Sequence, residues 1–181
     1  MSERKKALVV VLSAFLLIVI LVSLIYVFGV YLPDKREREE RQRLVEEYYN
    51  NKLSLYAKEN EKYDDYEVDV AFVGDSLTDG YDLNAYYPEY LVSNRGIGGE
   101  TTHGLLARLD VSVYQLKPKV IVMLIGANNF KTMFENYEDL IIGIKENLPQ
   151  TELVICSLTS MGGEWGKNNQ LAAFNNVKIK A

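Results

Sequence analysis

From Ala7 to Leu32 the chain reads ALVVVLSAFLLIVILVSLIYVFGVYL, 26 residues without a charge. At ~1.5 Å of rise per residue, a helix of that length crosses a hydrocarbon core of ~30 Å with some tilt. A cleavable signal peptide is the rival reading. Against it, the run exceeds the usual apolar region of ~7–15 residues, and no small-x-small cleavage pattern follows. The sequence therefore predicts an uncleaved transmembrane anchor at 7–32 behind a short basic tail at 1–6. The rest of the 181 residues suffices for one domain of ordinary size.

Orientation is less sharply written. Arg4, Lys5 and Lys6 precede the span, while Lys35, Arg36, Arg38, Arg41 and Arg43 follow it, so a bare count of cations leans towards an outside N-terminus. The downstream cations are interleaved with Glu37, Glu39 and Glu40, and a short basic tail before a first apolar segment is the signal-anchor pattern. The expectation is a single-pass protein of the cell membrane with its bulk on the extracytoplasmic side.

The net charge of −5 and pI near 5.0 argue against a nucleic-acid partner, which calls for a basic face. Cys156 is the only cysteine, which rules out an internal disulfide and a thiolate metal cluster. In the run LVICSL it reads as a buried core thiol.

Residues 33–66 alternate charges, with Val45, Tyr49, Leu53 and Tyr56 at helical spacing. This is expected to be a helical stalk whose tyrosines pack on the domain or on a second copy. From Glu67 the period changes to short apolar runs separated by helical stretches, the signature of an α/β domain with a parallel sheet over 67–181. Strands are expected at 68–73, 91–94, 120–125 and 153–158. Helices are expected from near Thr101 and over 132–148, the latter closed by Pro149. A last amphipathic segment spaces Leu171, Phe174 and Val177 by three.

Ligands of open parallel sheets bind beyond the carboxyl ends of the strands. The first strand delivers Gly74, Asp75 and Ser76. The second delivers NRGIGGETT, residues 94–102, and the third GANN, residues 126–129. Taken singly each block is an ordinary turn or helix cap, because Ser, Asp and Gly are favoured there. The glycine cluster also lacks the Gly-x-Gly-x-x-Gly spacing and the lysine of a phosphate loop.

In combination and in this order, GDSLTDG, NRGIGGETT and GANN resemble the GDSL or SGNH family of serine esterases and lipases, over about residues 68–181. The second and third blocks are most similar in wording to the platelet-activating-factor acetylhydrolase branch and its bacterial relatives, which also carry Asn-Asn. The resemblance implies a flavodoxin-like, three-layer α/β fold with a parallel sheet. It implies Ser76 as nucleophile, with Gly99, Asn128 and the serine's own N–H as oxyanion donors, and needs neither cofactor nor metal. The substrate would be an acyl ester, acetyl or another short chain, on a small molecule, glycan or lipid. A neutral amide at Asn128 suits an oxyanion better than a carboxylate would.

The family's base and its orienting acid lie in an Asp-x-x-His block after a fifth strand. No such block follows Ser160, and the sole histidine, His103, falls at the start of the helix after GIGGETT. The sequence thus reads as a domain lacking its last strand and helix, with 153–158 left as an apolar edge. His103 is expected to face solvent. Asp75 is assigned to the turn and helix start, and Tyr81, Tyr86, Tyr87 and Tyr90 to packing at the sheet edge or walling the crevice. Trp165 is either a cover for the acyl pocket or an ordinary loop aromatic. The competing reading is a catalytically deficient member acting as a binding or interaction module.

Overall fold

The computed structural model describes residues 2–180. The chain divides into two compact units at Tyr48/Tyr49.

The first unit is helical. Helix α1 spans Glu3–Tyr26, a π-helical turn covers Val27–Tyr31, and helix α2 begins at Leu32 and runs to Asn60. Every large apolar side chain from Leu8 to Tyr31 is exposed. A helix that is apolar all round and buries nothing belongs in a core or in lipid, and this stretch is long and apolar enough to cross a membrane. The wide turn sits just ahead of Pro33, which has no N–H for the carbonyl four residues earlier and whose ring crowds it; loosening the ladder there relieves both problems.

The second unit takes in the last turns of α2 and an α/β fold. Strands β1 (Val70–Gly74), β2 (Val92–Gly96), β3 (Val120–Leu124) and β4 (Glu152–Ile155) pair in parallel in the order β2-β1-β3-β4. Helices α3 (Ser76–Asp79) and α4 (Leu83–Tyr86) follow β1, α5 (Thr102–Ala107) follows β2, α6 (Phe134–Asn147) follows β3, and α7 (Asn169–Lys180) follows β4. All four expected strands are present, shifted by a few residues at their ends. The chain runs from β1 to β2 on one side and returns to place β3 on the other, so the strand order reverses between β1 and β3. That reversal is where an open sheet parts to admit a ligand. Register brings Gly74, Gly96 and Leu124 to one level, and the three motif loops therefore leave the sheet together.

Alternation along the strands decides the layers. Ala71, Val73, Ile121 and Met123 are fully buried against a core that includes Leu105, Leu140 and Ile144. The opposite row, Phe72, Val122 and Leu124, is half-buried, with Tyr81 and Tyr87 packed on Phe72 at ring-centroid distances of 6.4 and 5.3 Å. Those two tyrosines therefore pack at the sheet, the first of the two roles expected of them.

Two expectations need correction. Cys156 is half-buried and opens onto the Phe72 side of the sheet, so it is not a core thiol; burial still pushes its pKa up. In α7, Leu171 packs against the core, but Phe174 and Val177 are 58% and 69% exposed, whereas Ala172 and Asn175 are buried. Residues three apart on a helix of 3.6 residues per turn drift off the contact face. The face that packs is set instead by Asn175, whose Nδ2 donates to the Phe130 carbonyl at 2.8 Å.

Candidate active site

The turn after β1 is fixed by Asp75, whose Oδ1 accepts from the Leu77 N–H at 3.0 Å and caps α3. The cap places Ser76 at the first position of α3, exposed beyond the strand end. Asp75 is itself buried, and that burial, more than the nearby Glu100 carboxylate, pushes its pKa up, while the Leu77 N–H pulls the other way. Its role in the turn and helix start is as the sequence predicts.

After β2, Gly96 passes so close to α3 that a Cβ there would meet Asp79 N at 2.2 Å and the Thr78 carbonyl carbon at 2.6 Å. Gly99 follows at φ +79° with open space where a side chain would be. Glycine is needed at one position for room and at the other for backbone conformation. Thr101 then caps α5 through its Oγ1, which accepts from Gly104 N–H at 3.2 Å.

After β3, Asn128 Nδ2 donates to the Glu100 carbonyl at 2.8 Å. Asn129 grips the start of α5 with both ends of its amide: Oδ1 accepts from Thr102 N–H at 3.3 Å, and Nδ2 donates to Thr102 Oγ1 at 2.8 Å. The second and third motif loops are thereby fastened to each other.

Ser76 and Asn128 line one cleft of about 410 Å³, with Leu77, Ala127, Met161 and Trp165 among its walls. Trp165 is largely exposed and is one of the residues lining this cleft. Gly99 is not among the lining residues; it adjoins the Glu100 carbonyl that Asn128 holds. His103 lies on α5, exposed to solvent and outside the cleft lining, as expected.

A buried network beneath the loops is not evident in the sequence. Arg108 Nε donates to Glu100 Oε2 at 2.8 Å, Nη1 to the Arg95 carbonyl at 3.0 Å and to Ser112 Oγ at 2.8 Å, and Nη2 to the Gly74 carbonyl at 3.2 Å. One guanidinium thus ties the end of β1 to β2 and to the turn carrying Gly99. Its planar fork of donors suits it to bridging several acceptors at once. The only trace in the sequence is a charged residue closing the apolar helical stretch LLAR.

The sequence model of the GDSL-like lipase/acylhydrolase family matches residues 72–179. This chain belongs to that family. The alpha2 subunit of platelet-activating factor acetylhydrolase IB from Rattus norvegicus is 35% identical over 126 residues, covering 64% of this chain and 55% of the relative; the Homo sapiens subunit matches to the same extent. The chain therefore spans about half the length of these curated relatives. Among solved structures, a Streptococcus pneumonia protein provisionally described as a platelet activating factor superposes with a TM-score of 0.69 at 21% identity, over 81% of this chain and 75% of that one. A GDSL-like lipase from Bacteroides thetaiotaomicron gives 0.57 at 23% identity, over 71% and 73%. These structures share the fold of this GDSL-family chain.

Proposed function

We propose that this chain is a membrane-anchored serine ester hydrolase acting on short acyl esters, with Ser76 as nucleophile and Gly99, Asn128 and the Ser76 N–H as oxyanion donors. The observation that carries the reading is the shared cleft, which Ser76 enters from the end of β1 and Asn128 from the end of β3. Ser76 Oγ attacks the ester carbonyl carbon, and the carbonyl π electrons move onto oxygen. Collapse of that oxyanion expels the alcohol and leaves an acyl-serine, which water then hydrolyses. Asn128 has one amide hydrogen committed to Glu100, which aims the other. A donor held still in this way costs no reorganisation when charge develops. A cleft of about 410 Å³ suits a small acyl group, and the name of the mammalian relatives points to acetyl.

Ser76 is exposed, so its proton passes to solvent on attack, and solvent returns one to the departing alkoxide to release the alcohol. Among the described residues, Asp75 is the only carboxylate lining the cleft and is engaged with Leu77; an Asp-x-x-His block does not occur in the 181 residues. In well-studied serine hydrolases that have lost a triad member, the oxyanion hole and substrate binding alone leave ~10³ to 10⁴-fold acceleration over water. The exposed position of His103, away from the cleft, favours a second reading: a binding module that retains the cleft without turnover.

One experiment separates the two. The chain, in detergent, is treated with a fluorophosphonate probe and assayed on p-nitrophenyl acetate. The hydrolase reading expects slow ester cleavage together with covalent labelling, the labelling abolished by Ser76→Ala. Labelling that survives Ser76→Ala defeats the nucleophile assignment, and acetate-ester binding without cleavage supports the module. For the anchor, the protein is expected to resist carbonate extraction and to become extractable when residues 1–32 are removed, with the GDSL fold on the extracytoplasmic face accessible to protease from that side.

A further inference from the structure

The last turns of α2 lie ahead of the matched residues 72–179, and the hydrolase reading gives them no role. Yet Lys52, Tyr56 and Glu59, spaced four and three apart, form one stripe of the helix, and each reaches a different part of the site's scaffold. Lys52 Nζ pairs with Asp79 in α3, three residues after Ser76, and the other carboxylate oxygen of Asp79 accepts from Gly98 N–H at 3.2 Å. Tyr56, 3% exposed, donates from its Oη to the Gly96 carbonyl at 2.6 Å. Glu59 accepts from Ser93 Oγ at 2.9 Å and lies 3.5 Å from Nη2 of Arg95.

Arg95 makes the arrangement costly to disturb. It is fully buried, its Nε donates to Ser93 Oγ at 2.7 Å, and neither Nη group makes a hydrogen bond. Its charge is answered by Glu59 and by the face of the Tyr56 ring, 4.8 Å below the guanidinium carbon. The Arg108 guanidinium lies 6.0 Å from the same ring. Tyr56 therefore touches both the carbonyl at the end of β2 and the two arginines beneath the Gly96–Glu100 turn. Tyr49, two turns before Tyr56 on the same helix, is close enough to Glu100 for that carboxylate to add to the upward push that burial gives its phenol.

We propose that the α2 segment 49–60 is a positioning element of the active site, and that Tyr56, with Lys52, holds the Gly96–Glu100 turn and α3 in the register that presents Gly99 and Asn128 to the acyl oxygen. Tyr56 touches no reacting atom and acts through the Gly96 carbonyl and the two arginines. Loss of its hydroxyl leaves a buried carbonyl without its donor, and the turn relaxes to recover one. The proposal rests on the serine-nucleophile reading for its effect on reactivity, but its structural half stands apart from that reading.

The test uses the full chain in detergent and three variants. Tyr56→Phe removes only the hydroxyl, Lys52→Met removes the link to Asp79, and Ile144→Val, in the core on α6 and outside both the segment and the cleft lining, supplies a comparable general loss of stability. The measurements are the melting temperature, amide hydrogen exchange over residues 97–100, and the rate at which Ser76 takes a fluorophosphonate. Tyr56→Phe is expected to speed exchange in that turn and to slow labelling about tenfold, with Ile144→Val labelling at the parental rate. Should Tyr56→Phe fail to fold, Lys52→Met carries the same expectation. Parental exchange at 97–100 in the Phe variant overturns the proposal, as does equal slowing in Ile144→Val at matched melting temperature. A parent that takes no label removes the nucleophile reading, and the exchange measurement then decides the proposal alone.

Discussion

Asn128 Nδ2 donates to the carbonyl of Glu100 at 2.8 Å, across the gap between the loops that follow β3 and β2. The contact spends one amide hydrogen on position and leaves the other for the cleft that Asn128 shares with Ser76. Asn128→Ala is expected to slow acylation of Ser76 by about 10²-fold or more, the usual effect of deleting one oxyanion donor, while costing about 1 kcal/mol of stability for the lost hydrogen bond. Asn128→Asp should be no better, because a carboxylate repels both the Glu100 carbonyl and the developing oxyanion. Labelling rate against denaturant midpoint checks both statements; an Asp variant that labels at the parental rate removes Asn128 from the site.

The two glycines of the second motif separate room from conformation. Gly96→Ala would drive a methyl into the backbone of α3, where no side chain can move aside, and is expected to cost about 3 kcal/mol or more. Gly99→Ala meets nothing within 4 Å but must hold φ +79°, a strain of about 1–2 kcal/mol. Chemical denaturation of the two variants should therefore rank Gly96→Ala well below Gly99→Ala. The reverse order would mean that the Gly96 approach to α3 is looser than described.

Trp165 lines the cleft while remaining 63% exposed. Trp165→Ala should then leave the denaturation midpoint within about 0.5 kcal/mol of the parent, as for most surface changes, and alter which esters are cleaved or bound. Comparing acetate with longer p-nitrophenyl esters reads this out. An unchanged preference, together with unchanged stability, returns Trp165 to the status of an ordinary loop aromatic.

What the sequence makes legible is what local pattern encodes. The apolar runs ending in Gly74 and Leu124 place strands, Asp75 and Thr101 cap helices as their residue types favour, and the three motif blocks point to the GDSL family and to the strand ends where the loops meet. Packing between distant segments is not local, and there sequence pattern is silent. Arg108 bridges Gly74, Arg95 and Glu100, a contact that no spacing announces. The stalk tyrosines read as packing residues; Tyr56 does pack, but its hydrogen bond to Gly96 depends on a fold that brings residues forty apart together. In α7 the apolar spacing of Leu171, Phe174 and Val177 is right for Leu171, which packs on the core, and misleading for the other two, which are exposed while the Asn175 amide is buried with a carbonyl partner.

Asp75 ties the site to pH. Burial is the main reason its folded pKa stands above the ordinary 3.8, so the folded chain keeps this proton at pH values where the unfolded chain has lost it. Stability from this group is therefore full below about pH 3.8 and declines as pH rises through the folded pKa. Asp75→Asn keeps an acceptor for the Leu77 N–H, since Asn caps helices as well as Asp does. It also keeps one unpartnered buried polar atom, as Asp75 Oδ2 is now. The variant removes only the titration. Subtracting parent from variant cancels the other groups, and the difference in unfolding free energy is expected to be near zero at about pH 3, below the unfolded pKa, and to favour the Asp75→Asn variant increasingly as pH rises, levelling off above the folded pKa. A difference that is flat with pH, or that favours the parent as pH rises, would show that the carboxylate form is the one the fold stabilises.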